Sequence, residues 1–262
     1  MKQSERKMRA DMWPVYVINM ADNVARMQSC TSALNALGIP FERFEAVNGR
    51  ALSDAKASAV YDADANQRMF RLPLVRGELG CYLSHIELWR RIAAGNADGA
   101  IILEDDFTAS PHFPQVLAAL IADQDPWDMV KLFARRRNKV MLNRRNLCDG
   151  FEIARPYQIP NTTLGYVIRR DAAGRLLARS APFARPIDED HKRFWEHGLD
   201  VRLVMPPPLS LNADLQHSDT IQATRKSLRG GSLAVKLKQG LRNFKYRFIY
   251  LTALHVNRLR GR

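Results

Sequence analysis

The run Ala100-Ile101-Ile102-Leu103-Glu104-Asp105-Asp106 is the part of this chain best suited to chemistry. Four apolar residues make a short buried strand, and it ends in three adjacent carboxylates. Neighbouring acids repel, so a fold gathers them where something cationic offsets the charge. Open α/β sheets bind ligands at the carboxyl ends of their strands, and a divalent cation with oxygen ligands, Mn²⁺ or Mg²⁺, is the natural occupant, bridging to a diphosphate. A solvated acidic turn closing the strand fits the same three residues. A second acidic cluster, Pro186-Ile187-Asp188-Glu189-Asp190-His191, leads into a short helix through Phe194 and Trp195. Asp188 could cap that helix. His85 lies beside Tyr82, Ile86 and Trp89 on a helical face, a place for a core histidine or a catalyst. Arg135, Arg136, Arg137, Lys139, Arg144 and Arg145 read as a basic surface loop, with phosphate binding as the alternative.

These residues need elements to hold them. Val15 to Ile18 reads as a strand, with turn residues from Asn19 to Asn23. Val24, Met27, Thr31, Leu34 and Leu37 follow helical spacing until Gly38 and Pro40 stop it. Phe41 to Val47 is a return strand closed by Asn48-Gly49. Two strands joined through a helix run parallel, which sets Asn19 and the Glu45–Asn48 segment along the rim of the acidic strand end. Leu79, Tyr82, Leu83, Ile86, Trp89 and Ile92 share one face of a helix from Gly77 to Gly95. Further helices are expected around Gln115–Ile121 and Asp171–Ala178, the latter capped by Asp171, and further strands at Trp127–Phe133, Thr162–Arg169 and Val201–Val204. The expected architecture is α/β, with a mixed, mainly parallel central sheet.

A chain of 262 residues with 46% hydrophobic content can bury a substantial core. No run approaches the roughly 18–20 apolar residues of a membrane span, and residues 1–12 are charged rather than signal-like. Cys30, Cys81 and Cys148 are odd in number and fit no metal spacing, as expected of reduced thiols in the cytoplasm. The net charge of +13 is unevenly placed. Eleven of the 40 Lys and Arg lie between Arg225 and Arg262 with no Asp or Glu among them, leaving 29 basic against 27 acidic residues in the first 224. Within that tail Leu233, Leu237, Leu241, Phe244, Phe248 and Leu251 recur at helical spacing. A basic amphipathic helix of this kind is expected on an anionic membrane surface, or packed on the body as an ordinary terminal helix. No recognition module for nucleic acid accompanies the charge. The divisions expected are an extension at 1–12, one domain at 13–224 and the basic tail at 225–262.

In this order the pieces resemble glycosyltransferase family 25, the bacterial lipooligosaccharide galactosyltransferases and their collagen-modifying relatives. The resemblance is carried by Val17-Ile18-Asn19-Met20 with Arg26, by Gly38 to Gly49, by Gly77-Glu78-Leu79-Gly80-Cys81-Tyr82-Leu83-Ser84-His85 through Trp89, and by Ile102 to Asp106. Thr163 to Ile168, Leu176-Leu177 and Pro186-Ile187-Asp188 match weaker later motifs. Coverage runs from about Val15 to Thr220.

The resemblance implies a GT-A-like fold and inverting transfer of a hexose, galactose above all, from a UDP-sugar donor to a glycan or lipid-linked glycan acceptor. It implies Asp106 and Glu104 as ligands of Mn²⁺ or Mg²⁺, with His217 as a further ligand. Asn19, Glu45, Ala46, Asn48, Ser84, His85, Glu104 and Asp105 would form the donor site. Inversion requires a base on the acceptor side, for which Asp188 is favoured and Asp190 is the second candidate. An enzyme of this kind would sit on the inner face of the cytoplasmic membrane. An aspartyl-phosphate hydrolase also ends a strand in acids, but it needs a nucleophilic Asp where this chain has Glu104. A degenerate transferase that binds membrane, glycan or nucleotide sugar without turnover is the non-catalytic alternative.

Overall fold

The computed structural model describes residues 13–70, 72–135, 140–212 and 233–261. One sheet holds β1 (Val15–Asn19), β2 (Glu42–Glu45), β3 (Gly99–Glu104), β5 (Met129–Lys131), β6 (Met141–Cys148), β7 (Phe151–Pro156), β8 (Gly165–Arg169) and β9 (Val201–Met205). Their order across the sheet is β2-β1-β3-β8-β5-β9-β7-β6. The strands β4 (Phe107–Ala109) and β10 (Leu209–Leu211) form a separate antiparallel pair beyond the acidic strand end. In the main sheet β1 runs parallel to β2 and β3, and β5 runs parallel to β9. Only β8 and β7 point the other way. This is the mixed, mainly parallel α/β sheet expected of a GT-A-like domain.

Strands covered on both faces read as continuous apolar runs, and β1 and β3 do so. Alternation within them divides the core. Tyr16, Ile18, Ala100, Ile102, Tyr166 and Ile168 face one layer. Val15, Val17, Ile101, Leu103 and Val167 face the other. Helices α1 (Val24–Ala36) and α5 (Phe113–Ala122) close the second layer through Cys30, Leu34, Phe113, Val116 and Leu120. The first is closed by α4 (Arg76–Ala94) and α6 (Arg170–Leu177) through Trp89, Ile92, Ala172 and Leu176. Trp89 has no exposed surface, and truncating such a residue to Ala costs about 3–5 kcal/mol.

The polar segment after β2 resolves into a 3₁₀ turn (Gly49–Ala51), α2 (Asp54–Val60) and α3 (Ala63–Met69). Two expectations are corrected. Arg144 and Arg145 are not in a loop but on β6, paired with Glu152 and with Asp123 and Asp125; Arg136–Lys139 lie outside the described residues. The N-cap of α6 is Arg169, not Asp171, which sits in the first turn. The Asp188 cluster forms α7 (Ile187–His191), followed by α8 (Phe194–His197).

The tail forms α9 (Leu233–Leu259), and one face of it packs on the body. Tyr250 and Leu254 are buried, and the Tyr246 hydroxyl donates to Glu189 on α7. Lys192 lies 4.7 Å from the Tyr250 ring centre and Arg258 lies 4.2 Å from that of Phe194. The docked stripe is therefore Tyr246, Tyr250 and Leu254, with Leu251 packed beside it. Leu237, Leu241, Phe244 and Phe248 remain 64–77% exposed. Among the described residues no helix is long and apolar enough to cross a membrane.

Candidate active site

The parallel register Ile18↔Glu104 and Asn19↔Glu45 brings three strand ends to one rim. Behind that rim lies a cleft of about 240 Å³. Glu104 and Asp106 from the end of β3 and Asp188 at the start of α7 all line it, with Glu78, Cys81, Thr163 and Arg135 among the other lining residues. The chain thus joins two acidic clusters more than eighty residues apart around one space.

The three acids at the end of β3 have different fates. Asp105 accepts from Asn19 Nδ2 at 2.7 Å and from Arg26 Nη1 at 2.8 Å, so both its oxygens tie β3 to β1 and α1. Asn19 also receives Arg43 Nε on its Oδ1. Asp106 differs: its Oδ1 is buried with no hydrogen-bond partner. Burial, reinforced by the charges of Glu104 and Asp105, pushes the Asp106 carboxyl up to about 7. Glu104 accepts from Thr163 Oγ1, and His85 Nε2 stands 3.7 Å away. Burial alone would raise Glu104, but His85, Thr163 and Lys131 hold it below the ordinary carboxylate value. A hard divalent cation seeks an under-satisfied set of oxygen atoms. Asp106 Oδ1 is such an oxygen and Glu104 lines the same cleft, so these carboxylates have the chemistry to take a hard divalent cation. His217 lies outside the described residues.

Asp188 and Asp190 share one short helix but face differently. Asp188 lines the cleft, and its Oδ1 accepts from the Glu189 amide. Asp190 is 5% exposed and accepts from Tyr82 Oη at 2.7 Å and Arg185 Nε at 2.6 Å. Both its oxygens are engaged beneath the cleft, leaving none to meet an acceptor hydroxyl.

The motif around Ser84 is a packing device. A Cβ on Gly80 would lie 2.4 Å from the Val47 carbonyl oxygen, and one on Gly49 would lie 1.8 Å from that of Arg76. Only glycines let the loop after β2 rest directly on α4. Ser84 Oγ then accepts from the Val47 amide and donates to the Gly80 carbonyl, both at 2.8 Å. The contact sets the Ala46–Asn48 loop on the rim, where Glu45 and Asn48 are exposed. His85, wholly buried, sits 2.8 Å from Tyr166 Oη through Nδ1.

Sequence inspection passed over Lys131, although a lysine inside the apolar run Met129 to Phe133 was the available signal. Lys131 is fully buried and donates to the Thr162 carbonyl and to His191 Nδ1, each at 2.8 Å. Burial lowers its ammonium to about 7 against the opposing pull of Asp188 and Glu104. It lies within electrostatic reach of two cleft carboxylates, Glu104 and Asp188.

A mixed sheet opening on a cleft walled by carboxylates from a strand end is the architecture of a GT-A-like domain. The model of glycosyltransferase family 25 (LPS biosynthesis protein) matches residues 12–190, and the chain belongs to that family. A glycosyltransferase 25 family member of Anopheles gambiae is 32% identical over 186 residues, covering 67% of this chain and 30% of that protein. Procollagen galactosyltransferase 1-A of Xenopus laevis is 29% identical over 190 residues, with 67% and 30% covered. Procollagen galactosyltransferase 2 of Homo sapiens is 26% identical over 193 residues, with 67% and 29% covered. The chain spans under a third of the length of these relatives.

Proposed function

We propose that this chain is an inverting hexosyltransferase that moves a sugar, galactose first among the candidates, from a UDP-sugar to a hydroxyl of a lipooligosaccharide, lipopolysaccharide or other cell-surface glycan. The observation that carries the proposal is the convergence of Glu104, Asp106 and Asp188 on one cleft, with Asp106 Oδ1 buried and unpartnered. Asp106 and Glu104 would hold Mn²⁺ or Mg²⁺, which when bound supplies positive charge to the diphosphate leaving group. Asp188, lining the same cleft from α7, is the base: it takes the proton of the acceptor hydroxyl as that oxygen attacks the anomeric carbon. Asp190 holds α7 in place through Tyr82 and Arg185. Arg135, exposed at the mouth of the cleft, is placed to meet donor phosphate.

We further read α9 as the contact with an anionic membrane, at the inner face of the cytoplasmic membrane where lipid-linked acceptors would be met. The exposed Leu237, Leu241, Phe244 and Phe248 recur every three or four residues, between Arg242, Lys245 and Arg247. Basic residues near such a surface contribute about 1 kcal/mol each.

The test is a screen of UDP-sugars with a lipooligosaccharide acceptor, read by product mass, with and without EDTA. One donor should give a product one hexose heavier, in a metal-dependent manner. Donor binding without transfer or hydrolysis, across all donors and acceptors, would instead mark a binding protein.

A further inference from the structure

Cys81, His85 and Glu104 meet on the inner wall of the cleft, with one donor atom of each within 4.8 Å of the others. Cys81 and His85 are four residues apart on α4, so one helical face presents both to the end of β3. Together they offer sulfur, nitrogen and oxygen, a donor set that favours borderline and soft cations over Mg²⁺. We propose that Cys81, His85 and Glu104 form a site for a thiophilic divalent cation of the Zn²⁺ class, adjoining the carboxylate site at Asp106 and sharing Glu104 with it.

Geometry supports this at each ligand. The His85 ring is fully buried, and its Nε2 has no hydrogen-bond partner. That nitrogen faces Glu104 Oε1 at 3.7 Å, beyond hydrogen-bond range. Metal–ligand bonds of about 2.0–2.3 Å at tetrahedral angles put donor atoms roughly 3.3–3.6 Å apart. The His85–Glu104 pair is nearly there already, and the sulfur needs to close by about 1.5 Å at most. The other ring nitrogen lies 2.8 Å from Tyr166 Oη, which in turn accepts from Trp89 Nε1 at 3.0 Å. Metal-bound imidazoles are held through their second nitrogen in this way. Thr163 Oγ1 donates to Glu104 Oε1 and holds the carboxylate in place. Cys81 and Glu104 both line the cleft, which provides an entry path and leaves a fourth position open toward it.

The proton count balances. Neutral His85 carries one ring proton with or without the cation, held on Nδ1 toward Tyr166 when Nε2 is a ligand, while the Cys81 thiol releases its proton to solvent and coordinates as thiolate. Each cation bound therefore releases one proton.

The full chain titrated with Co²⁺ alone should show the visible bands of a tetrahedral ion and a near-ultraviolet sulfur-to-cobalt band. Cys81→Ser should lose the sulfur band, whereas Cys30→Ser and Cys148→Ser should keep it. Stoichiometric Zn²⁺ should displace the cobalt spectrum and protect Cys81 of the unaltered protein from alkylation, a readout that does not depend on any variant folding. Tyr166→Phe should weaken Zn²⁺ binding by about 10–100-fold. Absence of the sulfur band in the unaltered protein, its survival in Cys81→Ser, or alkylation of Cys81 undiminished by Zn²⁺ would overturn the proposal. None of these measurements requires turnover, so their outcome is separate from that of the sugar-transfer assay.

Discussion

Asp106→Asn should make the cation-free protein more stable while removing its transfer activity. An aspartate whose carboxyl is displaced from 3.8 to about 7 is one whose charged form the fold disfavours. Each pKa unit corresponds to about 1.36 kcal/mol, so the full displacement is worth about 4 kcal/mol as an upper bound. Coupling to Glu104 and relaxation around the site reduce this to about 2 kcal/mol, or roughly 4–8 °C in Tm for a chain of this size. The pH dependence fixes the sign. Because the folded pKa is raised, the folded state binds more protons between pH 4 and 7, and the charged carboxylate costs stability fully only above about 7. Asparagine carries no such charge. The variant should therefore melt above the unaltered protein at pH 8, and the gap should close as pH falls through 7 toward 4. Differential scanning calorimetry across that range, in EDTA, reads the effect. Adding Mn²⁺ should raise the melting temperature of the unaltered protein and leave the variant unmoved. Transfer should fall by about 10²–10³, as when one charge-stabilising group is removed from an active site. A variant less stable than its parent at pH 8, or a gap independent of pH, would refute the idea that the fold strains this carboxylate for a cation.

Asp188→Asn should abolish transfer while UDP-sugar binding, measured by calorimetry, stays within a few-fold; Asp190→Asn should instead unfold at lower denaturant, by about 1–2 kcal/mol, because Tyr82 and Arg185 lose a charged acceptor while Arg185 keeps Glu196. Gly80→Ala should cost about 1–3 kcal/mol or more, since the atoms met by the new methyl are backbone and cannot turn aside; an unchanged melting curve would mean that the loop after β2 does not depend on this contact. Serine at Phe244 and at Phe248 should each weaken binding to anionic vesicles at least tenfold, from about 1.5–3 kcal/mol of apolar burial lost per ring, without lowering Tm. The same loss of vesicle binding accompanied by a falling Tm would place those rings in the folded core instead.

Much of this protein is determined locally and is legible from its residues in order. Continuous apolar strand runs, a helix stopped by Gly38 and Pro40, and three acids closing β3 are each written within a dozen residues, because hydrogen bonding and side-chain direction repeat over that range. The common rim of Asn19, Glu45 and Glu104 follows from parallel strands joined through helices. What residue order does not contain is which oxygen faces which space. Asp105 and Asp106 are neighbours of identical chemistry, yet one is spent on Asn19 and Arg26 while the other has a buried oxygen left over. Asp188 and Asp190 divide in the same way, because residues two apart on a helix point about 200° apart. The stripe of α9 that docks is Tyr246, Tyr250 and Leu254, not the more aliphatic stripe, because Glu189, Lys192 and Arg193 await those tyrosines on the body. Lys131 is a charge inside an apolar strand, without meaning until β5 is laid beneath Glu104 and Asp188. Local sequence chose the elements, whereas the partners of each charge come from segments distant in the chain, and only tertiary packing brings them within reach.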